Sequence, residues 1–426
     1  GWAYWRPKIA VMESNELYRQ ILGLTAPWSV SHVRLDIKGG EVEVTVEHDQ
    51  ASPPCCPECK KVCSGYDSIT RSWRHLDTCQ MQTILTACVP RVQCPEHGVH
   101  LIAVPWAEPR GRFTAMFEAL VIAWLQDAPI SAVAEQLRLS WDAVDGIKKR
   151  AVDRGLARRE DHAPKRLGVD ETSFQRRHEY VTVISDQERG IVLHVADDRT
   201  EDALGGYLKS LSKEVVKGIQ VVAMDMWEPY IQAVCRYVPD ALKKIAFDKF
   251  HVASHLGNAV DHVRRQEHRE LMAQGDDRLK RTKYKWLQGP ERAMKDKDQE
   301  SFAVLRSSRL RTARAWTLKE TAMDVWEHTQ ERDVRAMWKW WLNWARRSKL
   351  EPMVKVAKMI KSHLEGIVVA IMKHATNAGA ESINAKIQKI KRMACGFRNR
   401  ERFRNAIYFH IGGLDLLPAS LTHTKA

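Results

Sequence analysis

The stretch that decides the fold is Arg166-Leu167-Gly168-Val169-Asp170, an apolar run that ends in a carboxylate. A second run of this kind is Val221-Val222-Ala223-Met224-Asp225, and both have the length and composition of buried strands. A third acid, Glu381, opens a basic segment with helical character. Two carboxylates on strands and one on a helix can converge on two divalent ions about 4 Å apart, an arrangement that suits in-line displacement at phosphorus.

The pattern of the chain around these runs predicts three strands followed by alternating helices and strands. A three-stranded meander followed by such an alternation is typical of an α/β ribonuclease H-like core. In that order Asp170 lies on the central strand and Asp225 at the end of the strand beside it. Either aspartate alone is as well explained as a turn residue at a strand end. The predicted strands are 167–170, 180–185, 191–196, 220–225 and 244–248, and the predicted helices are 200–211 and 229–237.

Residues 256–371 are interpreted as an α-helical insertion between the last strand and the helix of Glu381. The segment is rich in charge and in tryptophan, and core packing is the favoured interpretation of its tryptophans. The alternative is that one or two of them, within 338–344, stack on unpaired bases or wedge a cleaved end. The tryptophans are Trp286, Trp316, Trp326, Trp338, Trp340, Trp341 and Trp344.

The overall charge indicates a polyanionic partner. The 426 residues carry a formal net charge of +14, and cations that neutralise phosphates release condensed counterions, which favours nucleic acid. A generically basic protein is the alternative. No run of 18 apolar residues occurs, so we expect no membrane span, and the sequence has no apolar signal-peptide region.

Basic residues follow Glu381 closely. A basic run is usually a solvated face, but a position beside the third acid favours a clamp on the DNA backbone that does not read its sequence. The predicted DNA-contacting residues of this segment are Lys386, Lys389, Lys391, Arg392, Arg398 and Arg400.

Seven of the nine cysteines lie between Cys55 and Cys94. Two pairs, Cys56-x-x-Cys59 and Cys94-x-x-His97, have the spacing at which a tight turn aims both side chains at one ion. Four such sulfur and nitrogen ligands form the closed shell of structural zinc. Cys55 and Cys63 are competing ligands, and reduced cysteines buried in a small β domain are the alternative to a metal site.

The pattern of apolar and capping residues in 114–150 predicts a helix-turn-helix. Ser131 is predicted to cap the second helix and Ser140 the third, which ends in Lys148-Lys149-Arg150. The last helix of this motif can enter the major groove, although helical hairpins that do not bind DNA are common. The side chains expected nearest the DNA are Ser140, Trp141, Lys148, Lys149 and Arg150.

The chain is therefore predicted to be a multidomain α+β protein. The predicted domains are an N-terminal helix and hairpin (1–48), a zinc-binding module (49–108), a helix-turn-helix domain (109–160), a first core segment (161–255), the helical insertion (256–371) and a last core segment with the basic C-terminal part (372–426).

Several motifs in fixed order resemble one family. From about Val11 onward the chain is similar to the ISL-three family of bacterial insertion-sequence transposases. Besides the cysteine module and the helix-turn-helix, the resemblance rests on Gly168-Val169-Asp170-Glu171, Met224-Asp225-Met226-Trp227, Asp248-Lys249-Phe250-His251, Thr376-Asn377, Glu381-Ser382-Ile383-Asn384 and Gly396-Phe397-Arg398-Asn399.

The resemblance implies an Asp-Asp-Glu transposase whose catalytic triad is Asp170, Asp225 and Glu381, holding two Mg²⁺ or Mn²⁺ ions. It implies supporting roles for Asp248, His251 and Asn384. His97 stands where the family commonly has cysteine, and imidazole is an equally good zinc ligand. Ser382 replaces a residue that is often glycine. Glu171 is left out of the triad, because neighbouring residues of a strand face opposite sides.

The function implied is binding of terminal inverted repeats, DNA cleavage and strand transfer to target DNA. A homodimer or larger homo-oligomer is expected, because two ends must be joined, and the expected location is the bacterial cytoplasm at the nucleoid. The alternatives are a non-catalytic zinc and helix-turn-helix regulator, and a metal-dependent nuclease without strand transfer.

Overall fold

The computed structural model describes residues 13–160, 163–175, 179–287, 296–375 and 378–419. Thr376-Asn377 of the motif before Glu381 lies outside the described residues. The chain divides into two compact units, the first made of Gly1–Arg159 with Leu414–Ala426 and the second of Glu160–Gly413. The finer division into six domains stays a prediction. None of the helices in the described ranges combines the length and apolar character needed to cross a membrane.

The first unit begins with helix α1 (Ser14–Ile21) and a five-stranded sheet. Edge-to-face packing of Trp106 on Trp28 and Trp73, with ring centroids 4.8 and 5.4 Å apart, forms the centre of its core. The strand order is β1-β2-β4-β3, with β5 paired to β4. The strands are β1 (Trp28–Asp36), β2 (Glu41–His48), β3 (Ser64–Thr78), β4 (Met81–Cys94) and β5 (Gly98–Leu101).

Three helices follow: α2 (Ala115–Leu125), α3 (Ile130–Gln136) and α4 (Trp141–Ala157). The predicted cap of α4 is correct, since Ser140 Oγ accepts a hydrogen bond from the Ala143 N–H at 3.2 Å. The predicted cap of α3 is wrong. Its N-cap is Pro129, which is extended (φ −69°, ψ 155°) and makes no side-chain bond. The helix therefore begins at Ile130, and Ser131 lies inside it.

A partly buried ion cluster joins α2 to α4. Glu118, only 2% exposed, accepts hydrogen bonds from Arg150 at 2.5 Å and from Arg154 at 3.0 Å. Arg154 also donates to Glu108 at 2.7 and 2.8 Å. Buried charges of this kind are stable only while every partner is present, so the cluster fixes how α4 lies on α2.

Replacing Glu118 by alanine is expected to lower the free energy of unfolding of the first unit by about 3 kcal/mol, because two guanidinium groups lose their shared carboxylate. The matched control is Asp415→Ala, which removes the exposed partner of Arg158 and should cost less than about 1 kcal/mol. Denaturant unfolding followed by fluorescence measures both values. Equal losses in the two variants would contradict a stabilising role for the cluster.

The second unit contains a five-stranded sheet in the order β10-β9-β6-β7-β8. β6, β9 and β10 are parallel, whereas β7 is antiparallel to both of its neighbours. The strands are β6 (Arg166–Gln175), β7 (Glu179–Asp186), β8 (Ile191–Ala196), β9 (Val221–Met224) and β10 (Ile245–Phe247). Each predicted strand corresponds to one of them. β6 is longer than predicted, so Asp170 lies inside the strand and not at its end.

Helices alternate with the later strands and continue after β10. Gly366 lies so close to the Phe247 ring that a Cβ there would collide with it. Because glycine has no Cβ, the helix that contains Gly366 (Leu364–Met372) packs directly on β10. The helices are α5 (Glu201–Ser210), α6 (Lys213–Gly218), α7 (Glu228–Tyr237), α8 (Lys249–Ala273), α9 (Lys283–Leu287), α10 (Asp296–Ser307), α11 (Arg311–Met323), α12 (Glu331–Arg347), α13 (Glu351–Ser362), α14 (Leu364–Met372), α15 (Ala378–Met393) and α16 (Arg400–Ile411).

Most tryptophans between β10 and α15 pack in the core. Trp286, Trp338 and Trp341 are completely buried, and Trp338 packs edge to face on both Trp326 and Trp341. This burial agrees with the favoured interpretation of these residues. Trp340, 52% exposed, is the most exposed tryptophan of 338–344, and Trp344 is partly buried.

Candidate functional site

Three aspartates stand near one end of adjacent parallel strands. Asp170 lies in β6, Asp225 follows β9 and Asp248 follows β10. The register aligns these strands, since Gly168 is opposite Ala223 and Met224 opposite Phe247. The sheet therefore brings the acids to a common edge.

Asp170 is a partly buried carboxylate held by two donors. Its Oδ2 accepts a hydrogen bond from Asn384 Nδ2 at 2.6 Å, and its Oδ1 accepts one from the backbone N–H of Glu171 at 2.7 Å. Burial, together with the nearby negative charge of Asp225, raises the pKa of Asp170 to about 6. Positive charge is thus favoured beside it.

Asp225 is paired with a histidine from α8. His251 Nε2 lies 2.5 Å from Asp225 Oδ1, and this hydrogen bond is the main cause that raises the pKa of His251. Asp248 is the N-cap residue of α8, one turn before His251. Burial raises the pKa of Asp248, and the charges of Glu381 and Asp225 act in the same direction.

Helix α15 lies along β6 and carries Glu381 in its first turn. Two further side chains of α15 donate hydrogen bonds to β6. Gln388 Nε2 donates to Thr172 Oγ1 at 3.4 Å. Lys391 Nζ donates to the Ser173 carbonyl at 2.7 Å. These positions share one helix face, and Glu381 precedes Asn384 on it by one turn. Glu381 is exposed. Gln388 was not predictable as a site residue, because nothing in the sequence shows which face of α15 meets β6.

Glu171 points to a different partner. Its carboxylate lies 2.9 Å from Arg199, whose guanidinium is 4.2 Å from the centroid of the Trp227 ring. The expectation that Glu171 is not part of the triad is consistent with this pairing and stays a prediction.

The acidic site offers the donors that a hard divalent cation needs. Asp248 Oδ1 and Asn384 Oδ1 are buried and have no hydrogen-bond partner among the described residues. Oxygen donors with several carboxylates suit Mg²⁺ or Mn²⁺. In the described ranges, however, the oxygens of Asp170, Asp225 and Glu381 do not form a group within 4.8 Å of one another, as the cysteine group does.

The cysteine module brings the four predicted ligands together. The ligand atoms of Cys56, Cys59, Cys94 and His97 all lie within 4.8 Å of one another. A hydrogen bond with His97 lowers the pKa of the Cys94 thiol to about 6, and thiolates are the form that binds zinc. Three thiols and one imidazole match the donor set of a structural zinc ion.

The two competing cysteines stand outside this group. The Cys55 thiol contacts the Pro53 carbonyl at 3.9 Å and the Cys63 thiol contacts the Lys61 carbonyl at 3.4 Å.

The predicted DNA-contacting residues of the helix-turn-helix fall into two sets. Trp141 and Lys149 are exposed, and Ser140 caps α4. Lys148, in contrast, is 5% exposed and pairs with Asp145 at 3.4 Å, so its side chain turns away from solvent, and its contact with DNA stays a prediction. Arg150 is bound to Glu118 in the ion cluster. The sequence showed a basic helix end but not which of its cations turn inward.

The basic segment after Glu381 divides in the same way. Lys391 is bonded to Ser173, and Arg400 donates to the Asp197 carbonyl at 2.9 Å, so both hold α15 and α16 against the sheet. The exposed predicted residues are Lys386, Lys389, Arg392 and Arg398.

Comparison with known proteins identifies the family. A DDE transposase family model of the ISL3 type, described as "Transposase", matches residues 167–407, more than half of the chain. The chain belongs to transposase family ISL3. A model for the helix-turn-helix domain of this family matches residues 102–152, and one for the zinc finger of the transposases of IS204, IS1001, IS1096 and IS1165 matches residues 52–97.

Curated relatives agree with this assignment. The transposase for insertion sequence element IS1557 of Mycobacterium tuberculosis is 30% identical over 423 residues, which cover 91% of this chain and 93% of the relative. The transposase for insertion sequence element IS1001 of Bordetella parapertussis is 25% identical over 357 residues, covering 82% and 86%. The ISL3 protein is thus an insertion-sequence transposase with a zinc module and a helix-turn-helix domain that binds DNA.

Proposed function

We propose that this ISL3 transposase binds the terminal inverted repeats of its element, cleaves the DNA at their ends and transfers the freed strand to target DNA. The observation that carries the proposal is the convergence of Asp170 and Asp225 with Asn384 of α15, the helix that also bears Glu381. The proposed catalytic residues are Asp170, Asp225 and Glu381, and Asp248, His251 and Asn384 support them.

The sheet order supports a ribonuclease H-like core. A central strand flanked on one side by two antiparallel strands and on the other by two parallel strands separated by helices corresponds to that fold. We interpret the helices from α8 to α14 as an insertion that precedes the helix of the third acid.

The residues of the site have distinct proposed roles. Asp170, Asp225 and Glu381 would hold two Mg²⁺ or Mn²⁺ ions, with the unpartnered oxygens of Asp248 and Asn384 beside them. When bound, such ions activate the attacking oxygen and stabilise the leaving oxygen in an in-line displacement. Asn384 keeps Asp170 oriented through its 2.6 Å bond. His251 keeps Asp225 oriented and, when protonated, offsets part of the negative charge of the site.

DNA recognition is assigned to the exposed residues of α4 and to the exposed cations after Glu381. Ser140, Trp141 and Lys149 are proposed to contact the inverted repeat, and Lys386, Lys389, Arg392 and Arg398 to contact backbone phosphates. We also propose a dimer or larger assembly, because two ends must be joined, and a place of action at the bacterial nucleoid, where the DNA partner is.

The test is cleavage of end-labelled DNA that carries an end of the element, with Mg²⁺, by the wild-type chain and by Glu381→Gln. We expect nicks at the repeat boundary from the wild type alone, with equal DNA binding by both proteins. Joined products with added target DNA would distinguish a transposase from a plain nuclease. Binding without cleavage by the wild type, with metals varied and paired ends supplied, would instead indicate a non-catalytic regulator.

A further inference from the structure

A cleft of about 570 Å³ opens in the second unit where the parallel strands β6, β9 and β10 begin. Among the described residues that line it, Asp240 is the one acid, and its carboxylate is 4.0 Å from Lys243. Five cations against one carboxylate leave four net positive charges in the lining. The cations are Arg166, Lys217, Lys243, Lys244 and Lys373.

Backbone carbonyls hold three of these cations in place. Lys373 Nζ donates to the carbonyls of Gln220 at 2.9 Å and Lys243 at 3.0 Å. Arg166 donates to the Lys373 carbonyl at 3.1 Å, and Lys244 Nζ donates to the Lys217 carbonyl at 3.2 Å. A carbonyl orients a cation but brings no net charge. The repulsion among the side chains is therefore largely uncompensated by the described residues.

Repulsion among the cations of the cleft opposes the protonation of its lysines. Burial lowers the pKa of Lys373, and the positive charges of Lys244 and Arg166 lower it further. An anion placed in the cleft would remove this repulsion and favour the charged form of every cation around it. The chemistry of the lining thus points to an anionic ligand with several negative charges.

The cleft and the candidate catalytic acids lie at opposite ends of the same strands. Val221 opens β9 and Asp225 follows its last residue, and at about 3.3 Å per residue these positions are roughly 13 Å apart. Lys244 and Asp248 flank β10 in the same way. A phosphate bound in the cleft is therefore a different phosphate from the one that reacts at the acids.

We propose that this cleft binds backbone phosphates of double-stranded DNA outside the segment being cleaved, an inference that rests on the proposed DNA-cleaving function. Duplex DNA carries one negative charge per about 1.7 Å, so it presents several phosphates across the cleft. Cations that contact phosphates add affinity without selecting a base sequence. The DNA held here is either the flank of the cleaved end or the separate target duplex.

The test compares Lys243→Gln/Lys244→Gln with a control that removes the same charge, Lys355→Gln/Lys358→Gln on the exposed face of α13. Thermal melting first verifies that both proteins fold. Binding to a long duplex without element ends is then measured against salt concentration. Loss of two phosphate contacts should reduce the slope of log K against log salt by about 1.8 in the cleft variant and leave the control at the wild-type slope.

Cleavage assays separate this proposal from the proposed function and identify the DNA. A short donor duplex without flank should be cleaved at the wild-type rate by both variants. Weaker cleavage of a flanked donor indicates the flank, and weaker joining to added target DNA indicates the target. Equal slopes in all three proteins would overturn the inference. If the slopes were equal but inorganic phosphate stabilised only the wild type, the cleft would be a small-anion site and not a DNA site, which would also overturn the inference. If the wild type did not cleave at all, the proposed function would fail while the slope comparison still stood.

Discussion

Asp225→Asn is expected to reduce DNA cleavage by about 1,000-fold or more, which corresponds to at least about 4 kcal/mol of barrier, while DNA binding stays at the wild-type level. Asparagine keeps the shape of the side chain and its place after β9. It removes the charge that would attract a divalent ion, at a site whose neighbours Asp170 and Asp248 are already partly desolvated. The DNA-contacting residues assigned to α4 are unchanged, so end binding should persist.

A second measurement on the same variant reports on the geometry without relying on activity. The hydrogen bond to Asp225 is the main cause that raises the pKa of His251, so NMR titration of His251 should show a lower pKa in Asp225→Asn than in the wild type. The matched control is Asp202→Asn on the exposed side of α5, which should alter neither cleavage nor the His251 pKa. Cleavage by Asp225→Asn within tenfold of the wild type would refute the catalytic assignment.

Strand positions were predictable because buried strands need continuous apolar runs. β8 matches its predicted range of 191–196, and β9 and β10 each differ from theirs by one residue at each end. The end of β6 was not predictable, since the polar residues that follow Asp170 pair with β7 through ladder hydrogen bonds. Those bonds depend on a partner strand that the local sequence does not reveal.

The orientation of the candidate site residues could not be predicted from the local sequence either. Lys148 and Lys149 are adjacent and chemically identical, yet one is buried against Asp145 and the other is exposed. Which lysine turns inward depends on how α4 lies on α2, and that is set by tertiary contacts such as the Glu118 cluster. The basic cleft was missed for a related reason, because Arg166, Lys217 and Lys373 are far apart in sequence and meet only where three parallel strands begin.

Zinc removal is expected to have the largest effect on the stability of the first unit. Cys94→Ser removes one of four ligands whose donor atoms lie within 4.8 Å of one another. Zinc bound by such sites contributes about 10–16 kcal/mol to folding, comparable to the whole stability of a domain, about 5–15 kcal/mol. The variant should contain no zinc and should lose the ordered environment of its first-unit tryptophans, as seen by near-UV circular dichroism.

The reason for so large an effect lies in where the ligands stand. Cys56 and Cys94 are buried in the same core as Trp73 and Leu85, so loss of the ion releases the ends of the β3–β4 hairpin and exposes that core. Cys55→Ser is the matched control, because its thiol stands outside the ligand group and should leave zinc content at one per chain. His97→Cys should also retain zinc, since thiolate and imidazole are both good ligands. A zinc-free Cys94→Ser protein with wild-type melting behaviour would mean that the tryptophan core, and not the metal, stabilises this unit.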